Sequence, residues 1–357
     1  MGDPIFIWEN LFKIDKIDGK GYGWIALQDI KPGRLIYKEK QQFVVDSETR
    51  VKFLDWMRSF YAMTENDQKE FLELHNRYLD LNSLDDFDKK WYFDCKNTIE
   101  GIEGVPYSEK NLALKVICIQ STNGFKGRLK AEEGVGIKIS RINHSCCPNS
   151  QHYEEGDEME IRAMTKILKG QEITISYVEP MKNFKKRQEL CLNLGFVCSC
   201  EVCQDEEINK DDEIYQKFQN LKEEAESIAP RLLRYLSGPH PFPGFPLLER
   251  ALACQKQMFN LAKKKKVSKG FIHDILTRTF EIALSGYGTA IRQKNHGKMK
   301  YFKGECQNLC KVGLQIAKMC GDPEQARLKQ WKEINEDFDN WMGQKDNLKK
   351  FGSISNC

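Results

Sequence analysis

Arg141-Ile142-Asn143-His144-Ser145-Cys146-Cys147-Pro148-Asn149 is the stretch on which the reading of this chain turns. A carboxamide, an imidazole, a hydroxyl and two thiols crowd together between apolar runs, and Pro148 interrupts any regular ladder. Such a segment can ligate a metal, bind a ligand or form a turn. Taken alone, His144 is more often a satisfied structural histidine than a ligand or a base. Its neighbours in sequence have to decide.

On the C-terminal side, Glu160-Ile161-Arg162-Ala163 and Ile173-Thr174-Ile175-Ser176-Tyr177 alternate as strands do, with Lys169-Gly170 as a turn between them. The second strand belongs to a longer string, Gly170-Gln171-Glu172-Ile173-Thr174-Ile175-Ser176-Tyr177. A cysteine-rich stretch follows, ending in Cys198-Ser199-Cys200-Glu201-Val202-Cys203. Three thiolates on one tight turn can reach a single zinc ion, which takes four ligands tetrahedrally. The fourth ligand must come from elsewhere, and Cys146 and Cys147 are the candidates. The chain has 13 cysteines. Most of the others are scattered (Cys95, Cys118, Cys191, Cys254 and Cys320), as expected of thiols in a reducing compartment rather than of a disulfide framework. Cys306 and Cys310 fall four apart on a predicted helix, where core packing accounts for them.

On the N-terminal side, Gly19-Lys20-Gly21-Tyr22-Gly23-Trp24-Ile25-Ala26-Leu27 and Ile30-Lys31-Pro32-Gly33-Arg34-Leu35-Ile36-Tyr37 read as strand, Pro-Gly turn and strand. From about 47 to 114 the texture becomes helical, with Phe53, Leu54, Met57 and Phe60 and then Phe71, Leu72 and Leu74 at helical spacing. Trp91, Tyr92 and Phe93 fit packing within this insertion. Short segments return from about Val116 to Tyr177, where Glu154-Glu155 and Asp157-Glu158 read as a solvated hairpin tip. After Asp205 the pattern is helical: Leu221–Leu236, Leu247–Ala262, Phe271–Arg292, Lys303–Met319 and Glu324–Trp341, an antiparallel or repeat-like array.

Composition sets bounds. With 40% hydrophobic and 30% charged residues the chain supports a packed core. A formal charge of +3 gives no reason to expect direct nucleic-acid binding, and the one basic run, Lys263 to Lys266, reads as a solvated helix end. The N-terminus lacks a secretory pattern, no apolar run is long enough to span a membrane, and Cys357 as last residue excludes a prenylation box. An intracellular monomer, cytoplasmic or nuclear, is expected.

Four strings together carry a resemblance. Asn143 to Asn149 resembles the Asn-His-Ser-Cys-x-Pro-Asn motif of SET-domain methyltransferases, Gly170 to Tyr177 the motif that follows it, Cys198 to Cys203 the post-SET cysteines, and Lys20-Gly21-Tyr22-Gly23-Trp24 the N-terminal Lys-Gly-x-Gly motif. They occur in the family's order. The insertion and the helical C-terminal region resemble the SMYD proteins and the fungal SET proteins without a MYND finger. From Gln42 to Ile117 only Cys95 and His75 are soft ligands, so no MYND finger is expected.

The resemblance implies an α+β fold: a SET domain over 4–177 with a pseudoknot and the helical insertion, a zinc-bound post-SET segment over 178–204, and a helical domain over 205–357, TPR-like in pattern. It implies an S-adenosylmethionine-dependent protein-lysine methyltransferase whose partner is a protein presenting a lysine. Lys20, Gly21 and Tyr22 correspond to the loop that holds the methionine end of the cofactor. Asn143 and His144 correspond to residues that hydrogen-bond it, Phe196 to the aromatic on the adenine, and Tyr177 to the catalytic tyrosine. Cys146, rather than Cys147, corresponds to the ligand that joins Cys198, Cys200 and Cys203 on zinc. One position departs: Leu194 stands where SMYD-type enzymes usually carry a second tyrosine. That keeps open a SET-derived enzyme acting on a small molecule; a non-catalytic SET scaffold is the third reading.

Overall fold

The computed structural model describes residues 11–41, 43–46, 53–126, 132–155, 158–209, 212–237, 244–320 and 326–338. The N-terminal region opens with β1 (Phe12–Ile17), β2 (Gly21–Ala26), β3 (Leu35–Lys40) and β4 (Phe43–Asp46). The β1–β2 hairpin pairs Phe12 with Ala26 and Ile17 with Gly21, and its turn carries Gly19 and Gly21 at φ +69° and +72°, a left-handed conformation that side chains resist. The Pro-Gly turn expected between β2 and β3 is present, with Gly33 at φ +82°.

The insertion follows as α1 (Phe53–Tyr61), α2 (Glu65–Leu72), two single 3-10 turns, α3 (Asp86–Glu100) and α4 (Tyr107–Asn123). Thr64 and Asp85 cap α2 and α3 by accepting the main-chain N–H of Asp67 and Asp88. α4 runs to Asn123, past the expected end of the insertion near 114. Its run Val116-Ile117-Cys118-Ile119, with three β-branched residues, falls where short segments are expected, yet it is helical and all four residues are buried. A helix enclosed on every side has no amphipathic period, so its sequence cannot be told from a buried strand.

Next come β5 (Phe125–Lys126), β6 (Glu132–Val135), β7 (Ser150–Glu155), β8 (Glu158–Ala163) and β9 (Glu172–Ile173). Three small antiparallel sheets result, with strand orders β1-β2-β9, β3-β8-β7 and β4-β6-β5. In β8 the side chains of Met159, Ile161 and Ala163 are fully buried on one face. Glu160 points to the other and pairs with Arg162 at 2.8 Å and Lys38 at 3.3 Å, so its buried carboxylate is compensated. The expected hairpin tip at 154–158 falls partly on residues 156 and 157, which lie outside the described residues.

Trp24, Ala26, Ile30, Ile36, Ile142, Ile161, Ile167 and Ile173 form the core between the first two sheets. Trp24 is its keystone: it stacks on Phe12 with ring centroids 3.7 Å apart, meets Tyr37 edge-on at 5.5 Å, and donates its indole N–H to the carbonyl of Lys138 at 3.0 Å.

The chain then runs helical. α5 (Phe184–Asn193), α6 (Glu201–Gln204) and α7 (Glu206–Asn209) lead into α8 (Asp212–Ser237), α9 (Phe245–Ala262), α10 (Lys269–Arg292), α11 (His296–Cys320) and α12 (Ala326–Glu336). From α8 onward each helix packs on its chain neighbour, as short connections dictate. Their shared core includes Phe218, Leu252, Phe280, Phe302, Cys306 and Cys310, so the two cysteines four apart do pack inside. Of the expected helix Glu324–Trp341 the described residues hold α12, and 324–325 and 339–341 lie outside them. No helix among the described residues is long and apolar enough to cross a membrane.

Replacing Trp24 with alanine should remove a fully buried indole and orphan the Lys138 carbonyl. A loss of about 3–5 kcal/mol in unfolding free energy, read by urea denaturation, is the expected result.

Candidate active site and cysteine centre

The strand expected over Ile173–Tyr177 is a regular ladder only at Glu172–Ile173. Beyond it the backbone takes its partners from the 143–150 segment. Asn143 O accepts from Ile175 N at 3.1 Å, Ile175 O from Ser145 N at 2.9 Å, and Thr174 O from Ser150 N at 3.1 Å. Side chains complete the lacing. The Asn149 carboxamide donates to Glu172 O at 2.8 Å and accepts from Thr174 N at 2.9 Å, so it replaces a strand partner. His144 Nδ1 accepts the Tyr177 N–H at 2.9 Å, which fixes the imidazole as a main-chain acceptor. Burial holds its pKa down at about 4, consistent with a neutral ring. The sequence singled out His144 as a ligand-binding residue; what the fold shows is that its ring holds the Tyr177 main chain. Asn149 was quoted only as a motif residue, and its orienting role comes from the fold.

Around this knot the aromatic candidates converge. Tyr177 and His144 have ring centroids 5.4 Å apart, His144 and Phe196 5.7 Å, and Tyr177 and Phe196 6.0 Å in an edge-on arrangement. Tyr177 as a residue is 43% exposed, while its hydroxyl end is buried and donates to Ile142 O. Burial, reinforced by the nearby Glu172 carboxylate, pushes the phenol pKa above its ordinary value, so the hydroxyl stays neutral.

Glu172 is the residue that sequence reasoning missed. Its carboxylate accepts from Asn143 Nδ2 at 2.9 Å and from Lys20 Nζ at 2.7 Å, joining three separate motifs at one point. It stood within a quoted string, and being its one ionisable residue besides Tyr177 was the available signal. Gly23 explains the close approach: a Cβ there would lie 2.6 Å from Asn143 Nδ2 and 2.4 Å from Ile17 Cδ1. Gly21 serves differently, since open space surrounds it and only its positive φ calls for glycine. Tyr22 is half exposed and lies under the Arg141 guanidinium at 5.4 Å, whose Nη2 also donates to Glu70 O in the insertion at 3.4 Å.

The thiols of Cys146, Cys198, Cys200 and Cys203 all lie within 4.8 Å of one another. Cys146 Sγ is 4.0 Å from Cys198 Sγ and 3.5 Å from Cys203 Sγ. Tetrahedral zinc with Zn–S bonds of about 2.3 Å requires S···S separations of about 3.8 Å, so this donor set fits that ion. Cys147 stands outside the group, its N–H turned to Ser145 Oγ at 3.2 Å. A second grouping, His144 with Cys191 and Cys198, shares a thiol with the first, and its imidazole Nδ1 is already committed to Tyr177. Gln188 holds Cys198 from α5, donating to its carbonyl at 2.8 Å and accepting its N–H at 3.1 Å. Leu194 packs against this cluster with Phe196, and Gly195 beside it, at φ +89°, would bring a Cβ within 3.3 Å of His75 Nε2.

Residues 21–178 match the family model described as the SET domain. This chain carries a SET domain. Over 71 residues it is 44% identical to the histone-lysine N-methyltransferase SET5 of Saccharomyces cerevisiae, a stretch covering 19% of this chain and 14% of that protein. It is 26% identical over 216 residues to a putative SET domain-containing protein of Acanthamoeba polyphaga mimivirus, covering 58% and 81% of the two chains. It is 25% identical over 190 residues to the N-lysine methyltransferase SMYD2-B of Xenopus laevis, covering 51% and 40%. The match thus takes in less than half of either methyltransferase. The SMYD-like and fungal resemblance of the motifs agrees with these relatives. All of the lacing between 143–150 and 172–177 lies inside the SET domain, whereas Lys20 is just outside the match and Phe196 and the three later cysteines follow it.

Glu39 of this SET domain sits under the turn that leads to Ile142. Its carboxylate accepts from Ile139 N at 2.7 Å and Lys138 N at 3.4 Å. Burial is the largest influence and raises its pKa to about 7, against these bonds and the charge of Lys138; Glu70 adds to the rise. The folded state therefore holds the proton more tightly than the unfolded chain, and stability falls as pH rises from about 4.5 to about 7. Glu39→Gln, neutral throughout, should lose that slope: the unfolding free-energy difference between wild type and variant should change by on the order of 2 kcal/mol across the window. A constant difference across that range would show that Glu39 does not titrate there.

Proposed function

We propose that the chain is an S-adenosylmethionine-dependent methyltransferase acting on lysine side chains of protein substrates, histone or non-histone. The observation that carries this is the meeting of Tyr177, His144 and Phe196 with the Lys20–Glu172–Asn143 network at one knot, beside the cysteine centre. When bound, the cofactor supplies an electrophilic methyl group on a sulfonium. The residues of the chain align, exclude water and keep the acceptor amine neutral.

Lys20, Gly21 and Tyr22 would hold the methionine end. The Lys20 ammonium and Glu172 carboxylate, already paired, match the opposite charges of an amino-acid zwitterion. Phe196 would pack on the adenine, and Asn143 and His144 would hydrogen-bond the cofactor. Because the Tyr177 hydroxyl spends its proton on Ile142 O, its oxygen is left as an acceptor. It can then receive an amine N–H and direct the nitrogen lone pair away from itself. Cys146, Cys198, Cys200 and Cys203 would hold zinc, and through those four ligands the segment bearing Phe196 would be tied to the segment bearing Asn143 and His144. The helices from 205 onward form a separate TPR-like domain.

Leu194 favours a second reading, a SET-derived enzyme with a small-molecule acceptor. Its side chain packs on the cysteine cluster, so the wall that an aromatic would add to an amine channel is missing there.

Incubating purified protein and labelled S-adenosylmethionine with a protein extract separates the two: label should enter protein, at lysine. Label in the small-molecule fraction alone would support the second reading, and no transfer with no cofactor binding by calorimetry would leave a non-catalytic scaffold. Tyr177→Phe should slow transfer roughly ten- to a thousandfold with little change in melting temperature or cofactor affinity. Asn143→Ala should instead weaken cofactor binding by about 1–3 kcal/mol.

A further inference from the structure

Arg187, on α5, is the one lysine or arginine that is buried among the described residues, with 0% relative exposure. A fully buried guanidinium is costly unless charge and hydrogen bonds compensate it. Two of its nitrogens are committed: Nη1 donates to Lys182 O at 2.6 Å and Nη2 to Asn209 Oδ1 at 2.8 Å. Nε is buried without a hydrogen-bond partner among the described residues. Both partners on the committed side are neutral, so they satisfy donors and leave the charge unbalanced. The Tyr215 ring, 5.7 Å from Cζ, contributes only a weak cation–π contact.

α5 and Asn209 set it beside the cysteine turn: Cys191, four residues further along the same face of α5, has its thiol within 4.8 Å of that of Cys198. Four thiolates around one divalent ion carry a net charge of about −2, and such a centre also needs a cation when it is out of water. Asn209 links the two ends of this arrangement: its Nδ2 donates to the carbonyls of Val202 at 3.0 Å and Cys203 at 3.3 Å while its Oδ1 takes the guanidinium.

We propose that Arg187 is the buried counter-ion of the four-cysteine centre, a positioning residue that stabilises its bound metal and, through Asn209 and the Lys182 carbonyl, ties the metal-bearing turn at 198–203 to the base of the helical region. The proposal rests on the reading of that centre as a zinc site, and the test keeps the two apart.

The full chain, purified with zinc, is compared as wild type, Arg187→Gln and Arg187→Lys. Zinc transfer to a chromogenic pyridylazo chelator is timed, and melting temperature is measured in the same preparations. The Gln variant keeps a hydrogen-bond donor and loses the charge; the Lys variant keeps the charge and loses the fork. Zinc transfer from Arg187→Gln should be roughly 10- to 100-fold faster than from wild type, with Arg187→Lys much closer to wild type. Substituting cobalt for zinc gives a second readout: the thiolate-to-metal absorption should shift in the Gln variant and less in the Lys variant. Wild type without bound zinc would overturn the zinc reading itself. Zinc held by wild type, but released at the same rate by the Gln variant, would overturn the counter-ion role. Equal loss in both variants would also overturn it, since fork geometry rather than charge would then be the cause. If Arg187→Gln does not fold, Arg187→Lys decides: retention within a few-fold of wild type supports the role, and rapid loss from a folded protein overturns it.

Discussion

The structure depends on the lacing of the 143–150 segment with the 172–177 segment. Neither is a regular strand where they cross, so each buried N–H and C=O there must find a partner across the crossing or from a side chain. Asn149 supplies two such bonds with one carboxamide, and His144 supplies another through Nδ1. The short polar side chains that make the segment look like a loop in sequence are what allow two backbones to pass so closely. Because Asn143, His144 and Tyr177 all sit at the crossing, the placing of the candidate site and the closing of the fold are one event.

Charge is the second constraint. The SET core buries or half-buries several ionised groups and gives each a partner of its own. Glu172 has Lys20 and Asn143, and Glu160 has Lys38 and Arg162. Arg77, nearly buried in the insertion, bonds Asp88 at 2.7 Å and reaches across to Asn193 O at 2.8 Å. These pairs add little net stability, because desolvation offsets the attraction, but an unpaired member would be costly. Their effect is to fix registry. Arg77 and Arg141 tie the insertion to the helix before the cysteine turn and to the knot, respectively.

Much of this was legible without coordinates. Motif strings report chemistry through residue type and order, so they pointed to the cysteines that group together, to the aromatics that converge and to the glycines of the hairpin. What escaped were residues whose importance is relational. Glu172 is one carboxylate among many until Lys20 and Asn143 are folded against it. Arg187 reads as one more basic residue on a polar helix, and nothing local marks it as buried. The end of the insertion was misplaced because a helix buried on all sides, as at Val116–Ile119, loses the period that would reveal it.

The sequence by itself determined which groups are available. Three cysteines in six residues, an Asn-His-Ser-Cys string and glycines at a hairpin turn define a donor set and a close backbone approach wherever the chain brings them. The motif resemblance already chose Cys146 over Cys147 for the four-thiol group, but tertiary structure alone decided which nitrogen of His144 is used and where the Tyr177 proton goes. Spacing along a chain limits how far groups can be apart but not how they are turned toward one another. Orientation follows from packing, and packing is set by residues far away in sequence.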